Sequence, residues 1–107
     1  NDDTLINELV ESGKRTSEGV WPLPMLDLHK EEMRGTVGDL RNISGPATGA
    51  GSSTGGAFLS YFVGDTSWAH LDIAGSSWGA SERDYQGGEK GTGVGVRLLI
   101  DYLINTK

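Results

Sequence analysis

The chain has 107 residues, a length that corresponds to one domain or less. Its 9 basic and 15 acidic side chains give a formal net charge of −6, which disfavours non-specific nucleic-acid binding because that binding needs a basic surface. The absence of cysteine excludes disulfides and thiolate metal sites, and no apolar run approaches the ~20 residues of a membrane span.

The N-terminal part of the chain predicts one helix followed by an extended segment. Asp3 or Thr4 is expected to cap the helix, which should end near Gly13 and the polar stretch after it. Its apolar residues recur at helical spacing: Leu5, Ile6, Leu9 and Val10. Two prolines exclude a helix interior from residues 20–25, so we expect an extended segment there in which Trp21 packs.

The middle of the chain predicts two more helices and a short strand. A charged helix is expected over residues 27–34 and a strand over residues 37–43. After a glycine- and serine-rich loop, a helix capped by Ser53 or Thr54 should run to about Val63. The residues expected on its apolar face are Ala57, Phe58, Tyr61 and Phe62.

The C-terminal part predicts a strand over residues 68–73, a long loop over 74–91 and a final apolar helix from Thr92 or Gly93 to about Ile104. Helices and strands together indicate an α/β fold. Two or three candidate strands are few, since sheets usually have about five. We therefore expect an incomplete domain whose isolated chain self-associates or is loosely folded.

Two segments, residues 51–55 and 75–79, match the G-x-S-x-G nucleophile motif. That motif needs a strand before the serine and a helix after it, with an acid and then a histidine later in the chain. The first match lacks the strand, the second lacks the helix, and no histidine follows Asp72. We interpret both as chance matches in a chain with 17 glycines.

The only two histidines are His29 and His70. On a strand, His70 and Asp72 would point to the same face, and such a pair is suited to metal binding. A metal site needs three or more ligands, however, and no third one is close in the sequence. We interpret His70 as hydrogen-bonded to Asp72 or to the backbone, and His29 as part of a solvated helix face.

The remaining polar and glycine-rich motifs indicate structure rather than chemistry. Residues 49–51 and 91–95 are glycine-rich and precede helices, but neither has the lysine and serine or threonine of a P-loop. We predict close backbone packing there. The carboxylates at Glu31, Glu32 and residues 82–84 lie beside basic side chains, which is typical of solvated surface.

Four sequence blocks occur in an order and spacing typical of one enzyme family. They are residues 39–51, 56–63, 68–75 and 91–99. In this arrangement the chain resembles the C-terminal end of the catalytic domain of the leucyl aminopeptidase (cytosol aminopeptidase) family, from about Val20 to about Leu103. The resemblance implies a hydrolase that removes N-terminal residues from peptides. It also implies that residues 1–107 are a single-domain fragment of an α/β/α sandwich with a mixed sheet.

The resemblance also shows what the sequence lacks. The family's Asn-Thr-Asp-Ala-Glu-Gly-Arg signature, its catalytic lysine and its further metal-binding aspartates lie upstream of the matching segment and do not occur in this sequence. The expected parent is a metalloenzyme, a metal-dependent leucyl aminopeptidase with two divalent ions, zinc or manganese. We expect the present chain to hold no metal ligand and no catalytic residue, and to be inactive alone.

Three residues match substrate-pocket positions of the family. The family's Asp-Ile-Ala-Gly segment leads into the pocket for the substrate's N-terminal side chain, and the matching residues are Ala74 and Ser77. Ser77 stands where some members carry methionine, which implies a wider or more polar pocket. Ile43 matches an isoleucine in the pocket for the residue after the scissile bond.

The resemblance implies partners and a location as well. The expected partners are a peptide substrate, the rest of the catalytic domain and further copies in a hexamer, in the cytoplasm and without nucleic acid or membrane. The alternative is a small acidic, non-enzymatic α/β module that binds a partner, because the chain has no complete catalytic constellation. An upstream coding sequence containing the family signature would favour the aminopeptidase. A natural start near Asn1 would favour the module.

Overall fold

The computed structural model describes residues 1–45, 49–79 and 89–106. Four helices lie within these ranges: α1 (Asp3–Thr16), α2 (Asp27–Glu32), α3 (Gly51–Val63) and α4 (Val96–Asn105). The chain divides into two compact units. Unit 1 comprises Asn1 and Pro22–His70 and contains α2 and α3; unit 2 comprises Asp2–Trp21 and Leu71–Lys107 and contains α1 and α4.

The predicted α/β/α sandwich with a mixed sheet is wrong for this structure. The described residues form helices and two isolated antiparallel bridges, Arg34 with Leu40 and Trp78 with Gly91, and no sheet. The expected strand over residues 37–43 instead folds back in a tight turn, in which the Gly35 N–H donates to the Asp39 carbonyl at 3.0 Å. A strand forms only where a neighbouring backbone pairs with it, and pairing is not encoded locally.

The segment over residues 68–73, also predicted as a strand, has no regular secondary structure. At its start, the side chain of Asn1 takes the place of a pairing strand. The Asn1 amide donates to the Thr66 carbonyl at 2.9 Å, and its carbonyl oxygen accepts from the Trp68 N–H at 3.0 Å. One side chain satisfies two backbone groups here, but it cannot extend into a ladder.

The helix α1 begins at Asp3, so its cap, Asp2, lies one residue before the earlier of the two predicted caps, and the helix ends later than predicted. The carboxylate of Asp2 caps it by accepting from the Leu5 N–H at 3.0 Å. The helix continues through Gly13 and ends at Ser17, which has a left-handed φ of 57°. Glycine is needed at position 13 because the chain folds back against it after α1. A Cβ there would lie 2.7 Å from the Glu18 carbonyl oxygen.

The other helices are confirmed with shifted ends. The helix α3 begins at Gly51, before the predicted serine or threonine cap, and α4 begins only at Val96. The late start of α4 has a local cause, since Gly93 and Gly95 have positive φ angles of 70° and 90°, which an α-helix does not contain. Trp21 is 86% exposed, so the prediction that it packs in an extended segment is wrong.

Unit 1 has a small buried centre. Met33 is 1% exposed and Ala57 is fully buried, while α2 packs against α3. The Tyr61 hydroxyl donates to the Lys30 carbonyl at 2.9 Å and links the two helices. Of the apolar face predicted for α3 only Ala57 is fully buried; Tyr61 and Phe62 are exposed.

Unit 2 is organised by a buried carboxylate. The side chain of Glu18 is 4% exposed, and it accepts hydrogen bonds from the N–H groups of Gly95 at 3.1 Å and Leu98 at 3.0 Å. These N–H groups lie at the start of α4, where a helix has no partners of its own for them. The Arg97 guanidinium approaches the same carboxylate at 3.3 Å. Glu18 therefore caps α4 from a position 77 residues away in sequence.

An ion pair and two buried leucines complete the packing of α1 against α4. Leu9 is 4% and Leu98 3% exposed. Arg15 and Asp101 form a salt bridge of 2.6 Å. The hydrogen bond from Arg15 lowers the pKa of Asp101 and raises that of Arg15, because it favours the charged form of each.

The opposite side of α4 is an exposed apolar stripe. Its members, between 43% and 71% exposed, are Val96, Leu99, Ile100, Leu103 and Ile104. Their spacing places them along one face of the helix. The heavy packing predicted for this helix is therefore found on its α1-facing side alone within the described residues.

Replacing Glu18 by alanine should loosen the start of α4. The change leaves the N–H groups of Gly95 and Leu98 without their acceptor and should cost about 1–3 kcal/mol of unfolding free energy. Denaturant unfolding and amide hydrogen exchange measure this. Glu11→Ala is the control, since that glutamate forms an exposed pair with Lys14. Unchanged exchange at Gly95 and Leu98 would contradict the cap.

The isolated chain should self-associate through the α4 stripe. Glutamine at both Leu99 and Leu103 should weaken association at least about tenfold, since each buried leucine contributes roughly 1.5–3 kcal/mol. Sedimentation over a dilution series measures the effect. Val37→Ser, at a fully exposed valine outside the stripe, is the matched control. A sharply melting monomer that is indifferent to dilution would show that the stripe drives no association.

Candidate functional site

Two of the three predicted pocket residues lie on one tight turn of unit 2. The N–H groups of Ser76 and Ser77 both donate to the Ile73 carbonyl, at 3.0 and 2.9 Å. This makes residues 73–77 a single helical turn. Ala74 and Ser77 are three residues apart on it and so lie on the same side. Ala74 is exposed and Ser77 half-buried, and both side chains are small.

The sequence explains why the turn forms there. The Asp72 carboxylate accepts from the Ala74 N–H at 3.0 Å. Aspartate commonly holds a backbone turn in this way, by bonding an N–H two residues further on. The Asp72 side chain therefore stabilises the local backbone of the turn.

The far end of the turn is held by a second segment. We call this arrangement the clasp: residues 76–79 paired with residues 90–92. The Thr92 N–H donates to the Ser77 carbonyl at 2.9 Å, and the Thr92 hydroxyl donates to the Ser76 carbonyl at 2.6 Å. The Gly79 N–H donates to the Lys90 carbonyl at 3.2 Å. The clasp thus fixes the residues that follow the turn.

The third predicted pocket residue, Ile43, belongs to unit 1, whereas Ala74 and Ser77 belong to unit 2. Its side chain is 74% exposed and follows the turn closed by the bridge between Arg34 and Leu40. An exposed isoleucine is suited to an apolar contact with a ligand. Ile43 is therefore not part of the turn that carries the other two residues.

Both histidines have structural surroundings. His29 is 8% exposed, so the prediction of a solvated face is wrong for it. Its Nδ1 accepts from the Leu26 N–H at 3.1 Å and caps α2. A histidine three residues after an N-cap, here Leu26, is the signal that could have indicated this. His70 lies against α3, where a Cβ on Gly56 would be 3.6 Å from the imidazole Cδ2.

The described residues do not fit a two-metal centre. Across residues 1–45, 49–79 and 89–106, no group of three or more histidine, aspartate or glutamate side chains could hold a metal ion. Glu31 pairs with Arg34 at 3.0 Å on the surface, as predicted. Glu32 instead accepts from the Gly45 N–H at 2.8 Å, a structural role. The carboxylates at 82–84 lie outside the described residues.

The glycine-rich and serine motifs also have structural explanations. The first G-x-S-x-G match lies in α3, where the Ser53 hydroxyl donates to the Pro24 carbonyl at 2.8 Å. A Cβ on Gly49, Gly93 or Gly95 would meet no described atom within 4 Å. Close packing is therefore the wrong explanation at these positions, whose positive φ angles are what require glycine.

Comparison with known proteins gives the class of the chain. The sequence profile of the cytosol aminopeptidase family, catalytic domain, matches residues 1–100. A probable cytosol aminopeptidase of Geotalea uraniireducens (strain Rf4) is 46% identical over 108 residues, covering 100% of this chain and 21% of that protein. One from Geobacter sulfurreducens is 48% identical over 104 residues, covering 96% and 20%.

A third relative, a probable cytosol aminopeptidase of Roseiflexus castenholzii, is 44% identical over 103 residues, covering 96% of this chain and 21% of that protein. The matched family is a family of aminopeptidases. The chain belongs to the cytosol aminopeptidase family, and the resemblance found in the sequence is confirmed. It spans about a fifth of the length of these relatives.

In the part of the chain that the structure describes, no helix is long and apolar enough to cross a membrane.

Proposed function

We propose that this chain is the C-terminal segment of a metal-dependent leucyl aminopeptidase, in which it forms one wall of the substrate pocket and supplies no catalytic side chain. The observation that carries the proposal is the turn at residues 73–77, which presents Ala74 and Ser77 on one side within a segment that matches the family. The relatives are about five times longer, which leaves ample chain for the remaining parts of such an enzyme.

The pocket wall is proposed to bind the side chain of the substrate's N-terminal residue. Ala74 and Ser77 leave open volume beside the turn because neither side chain extends far from the backbone. The hydroxyl of Ser77 makes that wall more polar than a methionine would. Ile43 is proposed to contact the residue after the scissile bond through its exposed apolar side chain.

The reaction chemistry is proposed to lie outside the described residues. The family is a metal-dependent aminopeptidase family, but the described part of this chain has no cluster suited to a metal ion. In the proposed enzyme, two divalent ions, zinc or manganese, are held by parts of the enzyme other than residues 1–107. The residues of this segment bind and orient the peptide, and the isolated chain is inactive.

The proposed assembly is a homo-oligomer, a hexamer, that acts on peptides in the cytoplasm. The exposed α4 stripe supports further contacts, either with the rest of the catalytic domain or with other copies. The cytoplasmic location is supported by the relatives' names, which describe cytosol aminopeptidases. Family membership favours this enzyme over the non-enzymatic binding module.

Ser77→Met in the full-length enzyme should change substrate selectivity more than stability. A larger apolar side chain on the pocket side of the turn narrows the site, and a change of this size alters discrimination by about 1–3 kcal/mol. The measurement is kcat/KM for leucine, alanine and phenylalanine anilides, with a thermal melt for stability.

The matched control is Ser76→Met, one position earlier, where the side chain is exposed and lies on a different side of the turn. It should leave the three kcat/KM values in their original ratios. A folded Ser77→Met enzyme with unchanged ratios would show that Ser77 does not face the substrate.

A further inference from the structure

We propose that Thr92 is a positioning residue for substrate selectivity. Its hydroxyl ties the turn at residues 73–77 to the start of α4, and so sets where Ala74 and Ser77 present their side chains. The inference rests on the proposed function, because it gives a task to the pocket wall. Sequence reasoning assigned Thr92 only to a helix start.

The Thr92 side chain hydrogen-bonds to two different segments, one on each side. Its hydroxyl donates to the Ser76 carbonyl at 2.6 Å and accepts from the Val94 N–H at 3.3 Å. Its backbone N–H donates to the Ser77 carbonyl at 2.9 Å. One half-buried residue therefore makes hydrogen bonds both to the end of the turn at residues 73–77 and to the backbone that leads into α4.

The position of Thr92 in the chain makes this hydroxyl important. Residues 91–95 alternate glycine with other residues, and Gly93 and Gly95 have positive φ angles. Glycine allows many backbone conformations, so this segment has little stiffness of its own. Thr92 is the only residue of the five with a polar side chain, and therefore the only one whose side chain can hold the segment by hydrogen bonds.

Beyond Thr92 the connection continues into the helices of unit 2. Glu18 holds the N–H groups of Gly95 and Leu98, and α4 packs against α1. The hydrogen bonds of Glu18 and those of Thr92 are joined by the backbone between Val94 and Gly95, so they link the segment after α1 to the start of α4 and to Ser76 and Ser77. The turn at residues 73–77 is positioned by the helices of unit 2 in this way. Placement of binding groups within about 1 Å is what selectivity requires.

Removing the hydroxyl should loosen the turn without detaching it. In Thr92→Val the side chain keeps its shape, and the backbone bond from residue 92 to the Ser77 carbonyl remains. Thr92→Ser keeps the hydroxyl and both of its hydrogen bonds. This pair of variants therefore separates loss of the hydroxyl from loss of the side-chain volume.

The experiment compares wild type, Thr92→Val and Thr92→Ser in the full-length enzyme. The first readout is kcat/KM for leucine, alanine and phenylalanine anilides, in which Thr92→Val should change the leucine-to-alanine ratio by about threefold or more. The second is hydrogen exchange of the peptide spanning residues 74–79, which should be about tenfold faster in Thr92→Val. Thr92→Ser should match wild type in both.

The outcomes distinguish this inference from the proposed function. If the wild-type enzyme cleaves anilides but Thr92→Val keeps the same substrate ratios, the positioning role is overturned and the aminopeptidase assignment stands. Uniform loss of activity for all three substrates overturns it as well. If the full-length wild type cleaves none of them, the proposed function fails, and the selectivity role fails with it.

Discussion

The structure of unit 2 depends on one buried carboxylate. A charged glutamate that is withdrawn from water needs several donors, and Glu18 has them in the Arg97 guanidinium and the N–H groups of Gly95 and Leu98. This bonding fixes the start of α4 against the segment that follows α1. Thr92 joins the start of α4 to the turn at residues 73–77. Unit 2 is rich in glycine, and the buried apolar side chains described in it are Leu9 and Leu98. Because these are few, the polar interaction of Glu18 orders the unit.

The function proposed for this segment depends on the side chains that unit 2 exposes at the turn of residues 73–77. The turn at residues 73–77 carries small side chains at Ala74 and Ser77, which in the proposed function shape the substrate pocket and do not react. In the proposed function, the reacting groups of the aminopeptidase lie outside the described residues, and the relatives are about five times longer than this chain. The exposed α4 stripe agrees with the proposed contacts, because large exposed apolar patches commonly mark interaction surfaces.

The sequence predicted the local features well and the non-local ones poorly. Helices α1 and α3 could be predicted because apolar spacing acts over a few residues, although their caps were misplaced, since Asp2 caps α1 and Ala50 precedes α3. The strands over 37–43 and 68–73 were wrong, since pairing depends on neighbours that propensity does not supply. The roles of Glu18 and Thr92 were missed because their partners are distant in sequence. Ala74, Ser77 and Ile43 came from family resemblance alone, because small or exposed pocket residues have no physical signature of their own.

The most direct test exchanges this segment into a relative. The aminopeptidase of Geobacter sulfurreducens, with its matching C-terminal segment replaced by residues 1–107, should release chromophore from a leucine anilide in a chelator-sensitive reaction. The same enzyme with the segment deleted, and the isolated chain alone, should release none. Chelator-sensitive turnover by the isolated chain, free of contaminating peptidase, would contradict the account, as would a folded exchange protein without activity.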